Sequence, residues 1–231
     1  VRQLVTTAII LSRTDYGEAD RILSLLTPEF GKLSLLAKGV RRVKSKLAGG
    51  IELFSVSEIT FIKGRGEVGT LVSTRLVKHY EQIVKDLNRT MLGYDLIKRL
   101  NKVTEDETES EYFDLLKDTF EALNDKAISL DIVRFWFGAQ LLRMSGHSPN
   151  LQTDEQGSKL EADQHYLFNF DNMGFVASPD HGQFGAGDIK FLRLAFAGNS
   201  IHVLSHVQGC GQLAEKAAPL VNTMITTYLR V

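Results

Sequence analysis

The chain has 231 residues, 43% of them hydrophobic and 24% charged, enough for one large domain or two to three small ones and ordinary for a soluble globular protein. No run of about 18 apolar residues occurs, so no membrane span is expected, and a single cysteine, Cys210, argues against a disulfide framework or a cysteine-rich zinc module and for a reducing, intracellular compartment. The formal charge of −1 hides an asymmetry: residues 1–80 carry 13 Lys+Arg against 7 Asp+Glu, and residues 81–231 carry 14 against 21, so polyanion binding is expected towards the N-terminal end.

The first third reads as five short strands. Residues 5–13 form an apolar, β-branched run, too short and too polar-flanked for a secretory signal. A second strand covers 21–27. Thr27-Pro28-Glu29-Phe30-Gly31 has turn chemistry, and a third strand, 32–38, alternates, with Leu33, Leu35 and Ala37 on one face. A fourth, 51–63, changes apolar parity between Phe54/Val56 and Ile59/Phe61, which predicts a bulge. A fifth spans about 68–77. Five short strands in about 80 residues fit a small closed barrel, and among these the OB-fold is the common nucleic-acid binder. Gly64-Arg65-Gly66-Glu67-Val68-Gly69 matches a dinucleotide fingerprint, but a strand rather than a helix follows it, so it reads as a hairpin turn.

Between the third and fourth strands lies a basic loop. From Glu29 to Glu52 there are six cations, Lys32, Lys38, Arg41, Arg42, Lys44 and Lys46, and no carboxylate. Gly39, Gly49 and Gly50 permit turns there. Cations concentrated at a strand end suit a nucleic-acid backbone. Lys38, Arg41, Arg42, Lys44 and Lys46 are the primary candidates for phosphate contact, with Lys32, Arg13, Arg21, Lys63 and Arg65 behind them. Four to six contacts predict a slope of log affinity against log salt of roughly −3 to −5. Tyr16, Phe30, Phe54 and Phe61 are candidates for base stacking, at least two of them more plausible as core.

From His79 the period becomes helical: Tyr80, Ile83, Val84, Leu87, Met91, Tyr94, Ile97 and Leu100 read as one buried stripe. An acidic linker, 104–110, precedes a second helix bearing Tyr112, Phe113, Leu116 and Phe120. A third, 130–144, is apolar nearly all round and belongs at the centre of a bundle, with Phe135-Trp136-Phe137 in its core. Arg134 and Arg143 on that helix, nine residues apart and read as sharing a face, stand out. Residues 166–170 and 175–177 suggest a small hairpin, 188–197 a short helix, and Leu213 to Tyr228 a closing helix that kinks or starts at Pro219. His147, His165 and His181 with Asp154 raise the alternative of a metal-dependent hydrolase, but their spacing fits no ligand pattern. No nucleophile elbow, P-loop or paired-carboxylate motif occurs, so no catalytic residue, cofactor or metal is expected. An RNA-binding OB module is a second alternative.

Asp15-Tyr16-Gly17-Glu18-Ala19-Asp20-Arg21-Ile22-Leu23, Leu26-Thr27, Gly31-Lys32, Ala37-Lys38-Gly39-Val40-Arg41-Arg42 and Lys44-Ser45-Lys46-Leu47 together resemble the N-terminal signature of the bacterial recombination mediator family RecO. Arg134-Phe135, Leu141-Leu142, Gly146 and Pro149-Asn150-Leu151 are similar to a helix and turn of the same family. The resemblance covers residues 4–77 well and 130–151 moderately. It implies an α+β protein: a five-stranded OB-fold barrel, 1–78, followed by a mainly α-helical domain, 79–231, with a small β-hairpin insertion in about 147–185. It also implies a cytoplasmic, nucleoid-associated DNA repair and recombination protein without enzymatic activity. Such a protein binds single- and double-stranded DNA, anneals complementary strands, pairs with RecR, contacts the C-terminal tail of the single-strand binding protein SSB and assists RecA loading. Arg134 and Arg143 are the candidates for the SSB tail. Many relatives carry four cysteines in the 151–185 segment; this chain has none there, which predicts a hairpin without zinc.

Overall fold

A computed structural model describes residues 2–64, 66–105 and 109–231. Arg65 and residues 106–108 of the acidic linker lie outside the described residues. The chain is α+β and divides into two compact units, Val1–Lys126 and Ala127–Val231. Helices that follow the barrel, as far as Lys126, therefore group with it.

In the first unit, β1 (Gln3–Tyr16), β2 (Asp20–Thr27), β3 (Gly31–Ala37), β4 (Ser55–Ile62) and β5 (Val68–His79) close a barrel in the order β1-β2-β3-β5-β4, an OB-fold. Strand β1 serves two neighbours: its first half pairs with β4 and its second with β2, with an irregularity between Ile10 and Ser12 where it bends from one to the other. The alternation in β3 is realised, with Leu35 and Ala37 buried among Ala8, Ile10, Leu23, Leu25, Ile59, Phe61 and Leu71. One join is short. Strands β3 and β5 pair in parallel over Ser34–Leu36 and Val68–Thr70 alone. There Gly69 has no room for a side chain, since a Cβ would stand 2.8 Å from both Ile62 O and Leu35 Cδ2.

The fourth strand differs from expectation. A short 3-10 turn, Ala48–Gly50, precedes it, and β4 begins only at Ser55, after Phe54 in the left-handed region (φ 56°). The extra residues of the β4–β5 ladder, Val72 and Val77, lie on β5. Apolar parity changes along β4 because both its faces are covered. Ile59 and Phe61 point into the barrel, whereas Phe54 packs edge-on against Tyr94 and Phe120 of the helices that follow. Gly93 makes room for that ring; a Cβ there would approach Phe54 Cε1 to 2.5 Å.

The expected stripe beginning at Tyr80 is split. Helix α1 (Glu81–Val84) stops, and α2 (Leu87–Val103) restarts on an Asp86 cap whose carboxylate accepts from the Arg89 N–H at 3.0 Å. The restart resets the phase. Leu92, Leu96, Ile97 and Leu100 are buried, while Val84, Leu87, Met91 and Tyr94 are exposed. Helix α3 (Ser110–Asn124) is tied to α2 by the buried Arg89, whose Nη1 donates to Leu123 O and Asp125 O at 2.7 and 3.1 Å. This places a cation against the carbonyl end of α3. Tyr80 is fully buried; its hydroxyl donates to Glu121 at 2.9 Å, and burial, then that carboxylate, push its pKa up.

The second unit is built around α4 (Leu130–Met144), buried over most of its surface, with Phe135, Trp136 and Phe137 all in the core. Phe191 of α5 (Ala186–Phe196) stacks on Phe135 at 5.2 Å. Helix α6 (Ile201–Ser205) packs on α4 too, and α7 (Cys210–Met224) crosses it at Gly138, where a Cβ would meet Val221 and Ile225 within 2.9 Å. Helix α7 runs through Pro219 rather than starting at it, and a π-helical turn, Ile225–Leu229, follows. The hairpin is present as β6 (Tyr166–Asn169) and β7 (Gly174–Ala177). Its filling is aromatic: Phe175 meets Tyr166, Phe168 and Phe184 edge-on at centroid distances of 5.2 to 6.1 Å.

Candidate nucleic-acid interface

The loop between β3 and β4 is fixed at both ends. At its start, Gly39, in the left-handed region (φ 63°), donates its N–H to Asp20 Oδ1 at 2.7 Å. The Arg41 N–H donates to Ala19 O at 2.9 Å, and Val40 plugs the barrel core at 4% exposure. At its end, Ile51 is buried and Thr74 Oγ1 donates to Leu47 O at 3.2 Å. Two successive turns connect these anchors: Arg42 N–H to Gly39 O, and Ser45 N–H to Arg42 O.

The candidate cations separate into two groups. Arg21 Nε donates to Asp15 Oδ1 at 2.8 Å, and Arg41 Nη1 lies 3.6 Å from Asp15 Oδ2 and 3.5 Å from Gly17 O. The hydrogen bond from Arg21, with Arg41 also nearby, holds the Asp15 carboxyl below its ordinary value. Arg13 Nη1 pairs with Glu52 at 3.0 Å. Lys32 is half-buried, and its ammonium donates to Asn101 O and Thr104 O at 3.1 and 3.4 Å, at the carbonyl end of α2. These four are engaged within the fold. Lys38, Arg42, Lys44 and Lys46 are exposed on the loop and have no side-chain partner among the described residues. Lys63 is exposed beyond β4. Composition marks the whole cluster as basic; it does not reveal that Asp15 and Asp20, in the turn region between β1 and β2, hold the loop's base.

Among the aromatics, Phe54 and Phe61 are buried, and Phe30 packs edge-on to Phe61 at 5.5 Å. Tyr16 is exposed, at the β1 end of the turn on which the loop is anchored. Arg134 and Arg143 do not share a face: nine residues are about two and a half helical turns. Arg134 faces Asp131 at 3.6 Å and borders a pocket with Phe135, Ala218 and Val221. Arg143 donates to Gln140 Oε1 at 3.0 Å and lies along Gly198. The histidines of the hydrolase alternative do not gather into a metal-binding group among the described residues. His147 stacks on Tyr228 at 5.0 Å, and Asp154 accepts from the N–H groups of Gln156 and Ser158 in its own turn. Among the described residues no three His, Cys, Asp or Glu side chains form a group that could hold a metal, and no helix is long and apolar enough to cross a membrane.

A closed OB barrel presenting an anchored basic loop has the architecture of the nucleic-acid-binding barrels. Residues 1–80 match the family described as Recombination protein O N terminal. Proteins named DNA repair protein RecO are similar to the chain. That of Dehalococcoides mccartyi is 35% identical over 64% of this chain and 58% of its own length. That of Halalkalibacterium halodurans is 30% identical over 73% and 65%, and that of Syntrophus aciditrophicus 27% identical over 95% and 88%. The chain thus spans about three fifths of the length of the first two relatives. Residues 1–80 carry the N-terminal domain of the RecO family, and the similarity to RecO proteins extends beyond them.

Proposed function

We propose that the chain is a DNA-binding recombination mediator acting in DNA repair in the cytoplasm, on the nucleoid, and without covalent chemistry. The observation that carries this reading is the set of unpartnered cations, Lys38, Arg42, Lys44 and Lys46, on a loop anchored to an OB barrel. They contact the phosphates of single- and double-stranded DNA, with Lys63 and Arg65 as further contacts. Tyr16 offers the ring on which a base stacks, a contact of about 1–3 kcal/mol. Holding two strands on one basic surface lowers their mutual repulsion, which is the physical basis for annealing. RecR, the tail of SSB and, indirectly, RecA are the partners that the similarity to RecO proteins supports. Arg134, beside apolar Phe135, Ala218 and Val221, is the residue we assign to the acidic SSB tail; an Arg134→Ala variant that binds a tail peptide like the parent would remove it.

A salt titration of binding to a fluorescent single strand tests the reading. Contacts by the four free loop cations give a slope of about −3 on a single strand. A flat slope, or tighter binding to RNA of matched length, would overturn DNA as the ligand.

A further inference from the structure

Val40 and Val43 stand three residues apart in the loop and have opposite environments. Val40 belongs to the barrel core, whereas Val43 is 103% exposed, as open to water as a valine in an extended chain. It occupies the second position of the turn closed by the Ser45 N–H to Arg42 O bond at 2.9 Å. Turn corners favour Pro, Gly, Asn, Asp and Ser, each for a backbone reason; a β-branched aliphatic side chain satisfies none of them. A single exposed valine on an ordinary surface needs no explanation. This one lies in the chain between Arg42 and Lys44, with Lys38 and Lys46 on the same loop, the four cations all without side-chain partners among the described residues. The anchors at Asp20–Gly39 and Thr74–Leu47 hold the tip on a fixed base.

We propose that Val43 is an apolar contact point for single-stranded DNA, seated against the base and sugar faces of the strand while Arg42 and Lys44 hold the flanking phosphates. The inference rests on the DNA-binding reading and adds a specificity to it. The occupant follows from the chemistry of the tip: its cations select a polyanion, and its isopropyl group needs an apolar face beside the charges. An unstacked strand offers such faces, whereas a duplex turns its bases inward and presents mainly phosphate and sugar. Valine has no ring, so the contact is one of shape and exclusion of water rather than stacking.

The experiment uses the full chain with a fluorescent oligothymidylate and a blunt duplex of equal length. Each is titrated across a range of salt with the parent, Val43→Ser, Val43→Leu and Arg42→Ala. The expected result is that Val43→Ser weakens single-strand binding about three- to tenfold at every salt concentration, the loss of part of one valine's burial. The salt slope is unchanged, duplex affinity is unchanged, and Val43→Leu binds at least as well as the parent. Arg42→Ala should instead flatten the slope by about 0.7 on single strands and 0.9 on duplex. The thermal midpoint of each Val43 variant should equal that of the parent, since the side chain touches no core. Single-strand affinity unaltered in Val43→Ser, or an equal loss on duplex, would overturn the inference and leave the DNA reading standing. A parent slope near zero would sink both together.

Discussion

The base and the tip of the 38–47 loop are built from the same kinds of residue and have different employment. At the base, Asp15 meets Arg21 and Arg41, and Asp20 holds the N–H of Gly39. At the tip, Arg42, Lys44 and Lys46 meet no carboxylate among the described residues. Arg41 and Arg42 are neighbours in the chain, yet one braces the loop and the other is available to a ligand. Charge counted along a sequence overstates the charge a partner meets, because part of it is already neutralised in holding the surface in place.

The strongest way to break this division is to reverse the tip alone. Arg42→Glu with Lys44→Glu should lower DNA affinity by on the order of a hundredfold near physiological salt, with an unchanged melting temperature; fluorescence anisotropy beside a thermal melt reads both. At the base, Asp20→Ala leaves the part-buried Gly39 N–H without its acceptor and should cost about 1–3 kcal/mol in denaturant unfolding, with a smaller, severalfold loss of DNA affinity as the loop loosens. Lys32→Met removes the ammonium from the carbonyl end of α2 and should cost about 1 kcal/mol. The DNA salt slope should stay as it was; a fall in slope of about one would show that Lys32 does meet a phosphate and that the division is drawn in the wrong place. Asp15→Asn gives the smallest effect, a slight gain in DNA affinity as Arg21 and Arg41 are released. Its pH dependence has a definite sign. Because the folded-state pKa of Asp15 lies below the ordinary value of 3.8, its contribution is complete above that value and is lost as pH falls through the lowered one. Melts of parent and Asp15→Asn should therefore differ at pH 6 and converge only in the acid region below about 3.8.

The barrel was legible because its signals are local. Leu33, Leu35 and Ala37 alternate, and Pro28 to Gly31 spell a turn. What misled was burial on two sides and a broken phase. Strand β4 reads as bulged because Phe54 packs on helices while Ile59 and Phe61 fill the barrel. The stripe from Tyr80 to Leu100 runs through a break at Lys85-Asp86, so Leu87 and Met91 face water where continuity would bury them. The face shared by Arg134 and Arg143 failed on simple helical geometry. For the interface, the basic loop was plain to see, but its division was not. The carboxylates that engage Arg41 and Gly39 stand 26 and 19 residues upstream, and the carbonyls that hold Lys32 lie 69 and 72 residues downstream.

The parallel join between β3 and β5 has a consequence for how the barrel breathes. A ring of strands is as durable as its shortest seam, and this one holds over Ser34–Leu36 and Val68–Thr70. The β1–β2–β3 meander and the β4–β5 ribbon can each stay intact while the seam parts. Those amides of 34–36 and 68–70 that donate across the seam should therefore exchange with solvent ahead of the amides in the other ladders. Gly69 sits inside that seam with less than a methyl group's room, so any larger residue would act as a wedge, prising open a ring that a single hydrogen atom allows to close.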